Sequence, residues 1–321
     1  MMIKHLIFMA VLFIACFDFK FESEYEDING IYLEYVTHYH LNAFKLLFQG
    51  DTGYIMEGTA ISTYDFTNVD SLFLLNTYDF GQFINDFLIE DNLLFLALLG
   101  ELRIIDISNP QPQLISALPI EYPLSLQKSG NLLYARTFDR LVITDITDAA
   151  NPVELCSYEL DGMVPHFEID SGFVYIFSRY DLQILDMTDP TNPSLIYSLT
   201  FTDTMPLPNT FTKKGSFVYV AARNRISGAP MLITYAISTD HTLLETSRIS
   251  CPHLINYFNT EHDHVLAVTG TCFYLLNLEY PPLPCISEVG YWGGIYGVIN
   301  ENYIYITLYD LVIFEIRQVE Q

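Results

Sequence analysis

The sequence predicts an all-β chain: a seven-bladed β-propeller of four-stranded repeats about 40 residues long. Pairing of the N- and C-terminal segments is expected to close the ring. Three observations lead there. A strand motif ending in an acid recurs along the chain. An aromatic residue recurs at a fixed distance before it. After the N-terminal apolar run, no stretch keeps a 3.6-residue apolar period over three turns.

The motif is clearest in LRIIDISNP from Leu102, LVITDITDAANP from Leu141 and LQILDMTDPTNP from Leu182. Weaker copies start at Ile61, Leu232, Phe273 and Leu311. The fifth positions are Asp65, Asp106, Asp145, Asp186, Ala236, Asn277 and Glu315, at spacings of 41, 39, 41, 50, 41 and 38 residues. Tyr54, Phe95, Tyr134 and Tyr175 each stand eleven positions before their marker. Turn formers such as Asp91-Asn92, Ser129-Gly130 and Ser171-Gly172 precede the aromatic strands. Each unit therefore reads as four strands: one after a connecting loop, one around the aromatic, one carrying the motif, and one after Asn-Pro.

A lone four-stranded sheet leaves two apolar faces open, and stacking such sheets around an axis buries both. Seven markers imply seven blades. After Ile316 only five residues remain, too few for a turn and a fourth strand, so residues 31–40 are expected to supply that strand. The 50-residue interval places an insertion at RNRISGAP, read as a loop over residues 223–230. FTDTMPLPN, from Phe201 to Asn209, reads as the longest connection.

These repeats resemble those of the LVIVD-repeat proteins, bacterial β-propellers named for their strand motif. Leu141-Val142-Ile143-Thr144-Asp145 is nearly the family string, and Leu102 to Asp106 and Leu182 to Asp186 follow its pattern. The resemblance is strong over residues 92–198 and weaker over the rest of 31–317. It implies an exported or surface-associated propeller and brings no catalytic set with it.

With 14 Lys and Arg against 39 Asp and Glu, the net charge is −25. Nucleic-acid binding, which needs clustered cations, is excluded. Half the residues are hydrophobic and 15 % aromatic, enough for a large core. The start, MMIKHLIFMAVLFIA, carries Lys4 before an apolar run from Leu6 to Ala15. That run fits a secretory signal and is too short to span a bilayer. Phe13-Ile14-Ala15-Cys16 resembles a bacterial lipobox, with Cys16 as the lipidated residue; plain signal cleavage is the alternative. Residues 16–30 read as a tether and 31–321 as the propeller. The expected location is the outer membrane or cell surface as a lipoprotein, with periplasmic or secreted as alternatives. Membrane contact is expected through the lipid anchor only. Cys251 with Cys272 is the first disulfide pair to test against separate buried thiols.

Asp106, Asp145 and Asp186 are read as structural turn acids. They occupy equivalent sites in different blades, and Ser108, Thr147 and Thr188 follow two positions later. No metal site or cofactor is expected. Catalytic signatures such as GxSxG or HExxH are absent. The loops entering the first strands share one face with the middle hairpins. That face is expected to bind through Tyr122, His166, Arg179, Tyr180, Arg223, His253 and Trp292. The expected function is a non-catalytic exported binding or scaffold protein whose partner is a protein or glycan of the cell envelope. One alternative is a hydrolase or lyase using His166, His253, Asp161 and Asp181 near the axis. The other is a structural envelope component.

Overall fold

The computed structural model describes residues 31–160, 166–177, 181–251, 253–261, 264–269, 272–277, 285–290, 296–307 and 310–318. All its regular elements are strands, and they form seven four-stranded antiparallel sheets. Six sheets are continuous in sequence, spanning 45–79, 84–118, 125–159, 167–200, 204–250 and 255–290, and in each the spatial order of strands is the chain order. The seventh takes three strands from 296–318, and its outermost strand is β1 (Ile31–Tyr39).

The first strands stand next to one another in a closed cycle. They are β2 (Lys45–Gln49), β6 (Ile84–Glu90), β10 (Ser125–Ser129), β14 (Phe167–Asp170), β18 (Thr204–Lys214), β22 (Ile255–Glu261) and β26 (Tyr296–Asn300), with β26 returning to β2. Buried apolar clusters fill each gap between neighbouring sheets. Ile61, Phe87 and Leu96 join the first sheet to the second. Leu46, Ile55, Tyr305 and Ile313 join the seventh back to the first. The two middle strands of a sheet are apolar on both faces because each face meets another sheet, as in β7 (Leu93–Leu98), buried from Leu94 onward.

The motif strand explains its own sequence. β12 (Arg140–Asp145) buries Leu141 to Thr144 and leaves Asp145 at its end. The Asp145 carboxylate accepts the Thr147 N–H at 2.8 Å and the Thr147 hydroxyl at 2.6 Å. Asp65, Asp106 and Asp186 accept the N–H two residues on in the same way, at 2.8, 2.7 and 2.8 Å. This turn aims the intervening apolar residue under the ring. Phe66, Ile107, Ile146 and Met187 are all buried against the preceding sheet. Their N–H groups reach back to hairpin carbonyls at Asp51, Asn92, Asn131 and Gly172. Each turn thus fastens its own sheet and plugs the neighbouring interface.

A bulge recurs at one place in every sheet. One extra residue on the outer strand opposes the motif strand, as Leu75, Ile115, Leu155, Ile196, Thr246 and Ile286 do in the six continuous sheets. In the seventh, Val36 of β1 takes that position against β28 (Leu311–Gln318). Pairing runs from Ile31 opposite Gln318 to Tyr39 opposite Leu311. Tyr39 also donates its hydroxyl to the Val69 carbonyl at 2.8 Å, tying the closing strand to the first sheet.

The fifth sheet departs from two expectations. Arg223 and Asn224 end β19 (Phe217–Asn224), and Pro230 opens β20 (Pro230–Ile237). The insertion therefore lengthens a hairpin, and only 225–229 form its loop. Pro230 is tolerated because it sits at the first position of its strand. Thr204 to Asn209 likewise lie in β18 instead of forming a connection, with a register shift between Pro206 and Phe211. The Arg225 guanidinium anchors the hairpin by donating to the Thr204 and Phe201 carbonyls, both at 2.9 Å.

Two outcomes test this architecture. Removing residues 31–39 exposes the edge of β28 and should lower stability by at least about 3 kcal/mol, the burial worth of one or two large side chains. A synthetic peptide of that segment should restore the urea midpoint; an unchanged midpoint on deletion would overturn the closure role. For Asp145, the alanine variant should lower the urea midpoint at neutral pH, whereas asparagine, which keeps an acceptor, should change it little. Hydrogen bonds from the Thr147 hydroxyl and N–H hold the Asp145 carboxyl below its usual range. The stabilisation is therefore present above the unfolded pKa of about 4 and is lost as pH falls through the lower folded value. The gap between wild type and alanine variant should close in acid.

Candidate functional site

In each sheet the first strand has only one strand neighbour, so one row of its backbone groups faces the axis and the next sheet. Side chains from the preceding sheet satisfy part of that row. The Lys45 ammonium donates to the Phe87 carbonyl at 3.0 Å and to Asp86 at 2.6 Å. Asp86 accepts the Leu126 N–H at 2.7 Å. Gln127 accepts the Ile169 N–H at 3.1 Å and donates to the Phe167 carbonyl. Glu168 accepts the Lys213 N–H at 2.8 Å, and Asn259 accepts the Ile299 N–H at 3.2 Å.

The result is a polar girdle around the axis. Tyr257 and Tyr296 complete it, their hydroxyls hydrogen-bonded and their ring centroids 4.6 Å apart. Burial pushes both phenols up, and Lys45 partly offsets this at Tyr296. Burial, the largest single influence, lowers the Lys45 ammonium, but the Asp86 charge, Tyr296 and the hydrogen bond to Asp86 together outweigh it and the net direction is upward. Burial brings the Arg136 guanidinium down to about 10, with Asp86 opposing.

Sequence reasoning missed this girdle. A signal was present: Lys45, Asp86, Gln127 and Glu168 recur at intervals of 41 residues as polar positions in the first strands. Among the described residues no group of three or more His, Cys, Asp or Glu could hold a metal ion.

The face above the girdle carries the loops entering the first strands and the middle hairpins. Over the first three sheets it exposes large apolar side chains: Phe83 at 58 %, Leu99 at 62 %, Tyr122 at 43 % and Phe138 at 47 %. The Tyr122 and Phe138 ring centroids are 5.8 Å apart, and Phe83 packs edge-on to Phe44 at 6.4 Å. Asn85 donates to the Pro123 carbonyl at 2.9 Å, holding the Tyr122 loop beside the strand that follows Phe83. Tyr122 has φ +51°, an uncommon conformation for a residue with a Cβ.

The other expected residues fall as follows. His166 precedes β14, its Nε2 is 3.3 Å from Glu168 Oε1, and its ring packs on Phe211. It pairs with Glu168, not with Asp181 or His253. Asp181 opens β16 (Asp181–Asp186), with one buried carboxylate oxygen that has no hydrogen bond among the described residues. Arg223 is half-buried at the end of β19, and His253 is half-buried before β22. Asp161, Arg179, Tyr180, Trp292 and Cys16 lie outside the described residues, as do the side chains of Cys272 and Cys285.

Asp86 should be the most sensitive girdle position. Alanine there removes the partner of a buried ammonium and should cost about 3–5 kcal/mol. Asparagine keeps an acceptor for Leu126 and should cost less. Urea midpoints of both variants check the order.

Fold and girdle together define a β-propeller whose architecture can serve as a binding or scaffold surface. The LVIVD repeat matches residues 85–116, 125–159 and 161–200. No curated protein sequence matches the chain. Solved structures share the fold. A protein from Lactobacillus plantarum superposes with TM-score 0.63 at 15 % identity, over 79 % of this chain and 86 % of that one. A functionally unknown protein from Desulfotomaculum acetoxidans gives 0.62 at 12 %, over 84 % and 90 %. The N-terminal domain of Nup159 gives 0.62 at 11 %, over 92 % and 98 %.

Proposed function

We propose that the chain is a non-catalytic, exported binding or scaffold protein that engages a protein or glycan of the cell envelope through its loop face. The observation that carries this reading is the exposed cluster of Phe83, Leu99, Tyr122 and Phe138 on a chain of net charge −25. Aromatic side chains gathered on a loop surface supply contact area at low entropic cost and are enriched at binding hot spots. The Lys4 to Cys16 segment supports export and a lipid anchor. For the catalytic alternative, His166 pairs with Glu168, and Asp161 lies outside the described residues.

The test is saturable capture from envelope extract by immobilised protein. A triple variant, Phe83→Ser, Tyr122→Ser and Phe138→Ser, should weaken capture at least about 30-fold while leaving the far-ultraviolet spectrum unchanged, on hot-spot values of about 2 kcal/mol. Equal capture by the folded variant, or none by the wild type, would reject the loop face.

A second reading is favoured by a different observation. Phe73, Leu74, Leu75, Leu114, Leu195 and Leu244 are exposed on the outermost strands. These strands are sheet edges, and apolar edges promote lateral association. Sedimentation that depends on concentration, abolished by Leu74→Lys with Leu195→Lys, would favour a laterally packing envelope component.

A further inference from the structure

On the face opposite the loops, a cavity of about 230 Å³ opens between the seventh and first sheets. Its aromatic residues are Phe66, Tyr303 and Tyr305, and its acids are Asp51, Asp70 and Glu301. Two hairpins and one motif turn build it. Asp51 belongs to the first hairpin of the first sheet, Glu301 to the first hairpin of the seventh, and Asp70 to the turn that Asp65 caps. Asn68 accepts the Asp70 N–H at 3.1 Å and shapes that wall.

Three features of the chemistry point the same way. The acids are exposed, and none of the three takes part in an ion pair or accepts a side-chain hydrogen bond among the described residues. The aromatic side is rigid: Phe48, Phe66 and Tyr305 pack with centroids 4.8 to 5.5 Å apart. Tyr305 is only 2 % exposed and lines the cavity, and its hydroxyl makes no hydrogen bond among the described residues. Burial raises the Tyr305 phenol, with Tyr303 and Glu301 adding to the effect.

We propose that this cavity is a binding site for a small organic ammonium ion, held against the Tyr303 ring under the field of Asp51, Asp70 and Glu301. The acids form no group able to chelate a bare metal ion among the described residues. A cation that spreads its charge over methyl or methylene groups needs no such chelation and is attracted by aromatic faces. The volume is below that of sites for drug-sized ligands and suits a single headgroup. The site lies on the opposite face from the exposed aromatic cluster and stands independently of the function proposed there.

The experiment is calorimetric titration of the full chain with choline chloride at fixed ionic strength. Its neutral isostere 3,3-dimethylbutan-1-ol and calcium chloride are titrated in parallel. Choline should bind saturably and the isostere should not. Glu301→Gln and Asp70→Asn should each weaken choline roughly threefold to tenfold, the size of one charge or cation–π contribution. Tyr303→Leu should do the same. Glu154→Gln, an exposed acid on an outer strand, removes the same charge elsewhere and should leave the affinity unchanged. Absent choline binding, equal binding of the isostere, competition by calcium at equal or higher affinity, or an equal loss in Glu154→Gln would each overturn the proposal. Should Glu301→Gln fail to fold, Asp70→Asn and the isostere comparison decide it.

Discussion

Every sheet in this chain has an unfinished inner edge, and the ring depends on completing it. A strand on the axis pairs on one side only, and a row of its N–H and C=O groups would otherwise stand unsatisfied in a crowded interior. Asp86, Gln127, Glu168 and Asn259 each reach across to an N–H of the next first strand. The partner lies in a different sheet each time, so the bond forms only when neighbouring sheets are docked at the correct height. The apolar clusters between sheets supply the larger stabilisation, but they are not directional. The girdle sets the register that they leave open.

The turn acids do complementary work at the opposite end of each motif strand. A carboxylate bonded to the N–H two residues on makes a tight turn from ordinary residues. Its consequence is tertiary: Phe66, Ile107, Ile146 and Met187 are driven under the ring, against the preceding sheet. The repeated acid is therefore accounted for by packing without a ligand. One such turn, between Asp65 and Asp70, also walls the cavity beside the closing sheet.

Much of this was legible because repeats expose their own rules. The Asp65, Asp106, Asp145 and Asp186 series, with Ser or Thr two places on, announces a turn by chemistry that acts within three residues. The pairing of residues 31–39 with the Leu311 motif strand agrees with the return expected of residues 31–40. The fifth sheet misled for a physical reason. Gly228 and Pro230 are turn formers, but Pro230 also suits a strand's first position, so the insertion extended a hairpin. Tyr122 was singled out on the loop face, whereas Phe83, Leu99 and Phe138 were not, because an exposed apolar residue in a loop looks like a buried one until its neighbours are known.

Local order was determined by the sequence alone: where strands begin and end outside the fifth sheet, which faces are apolar, and which acids cap turns. These depend on periodicity and turn chemistry, both of which act over a few residues. Tertiary structure alone decided which polar groups meet. Lys45 finds Asp86, Gln127 finds Ile169, and Tyr257 finds Tyr296 because stacking sheets around an axis brings equivalent positions of successive repeats into contact. Likewise the cavity of Tyr305 and Glu301 exists only because the last sheet lies beside the first, and no local rule places residue 66 next to residue 305.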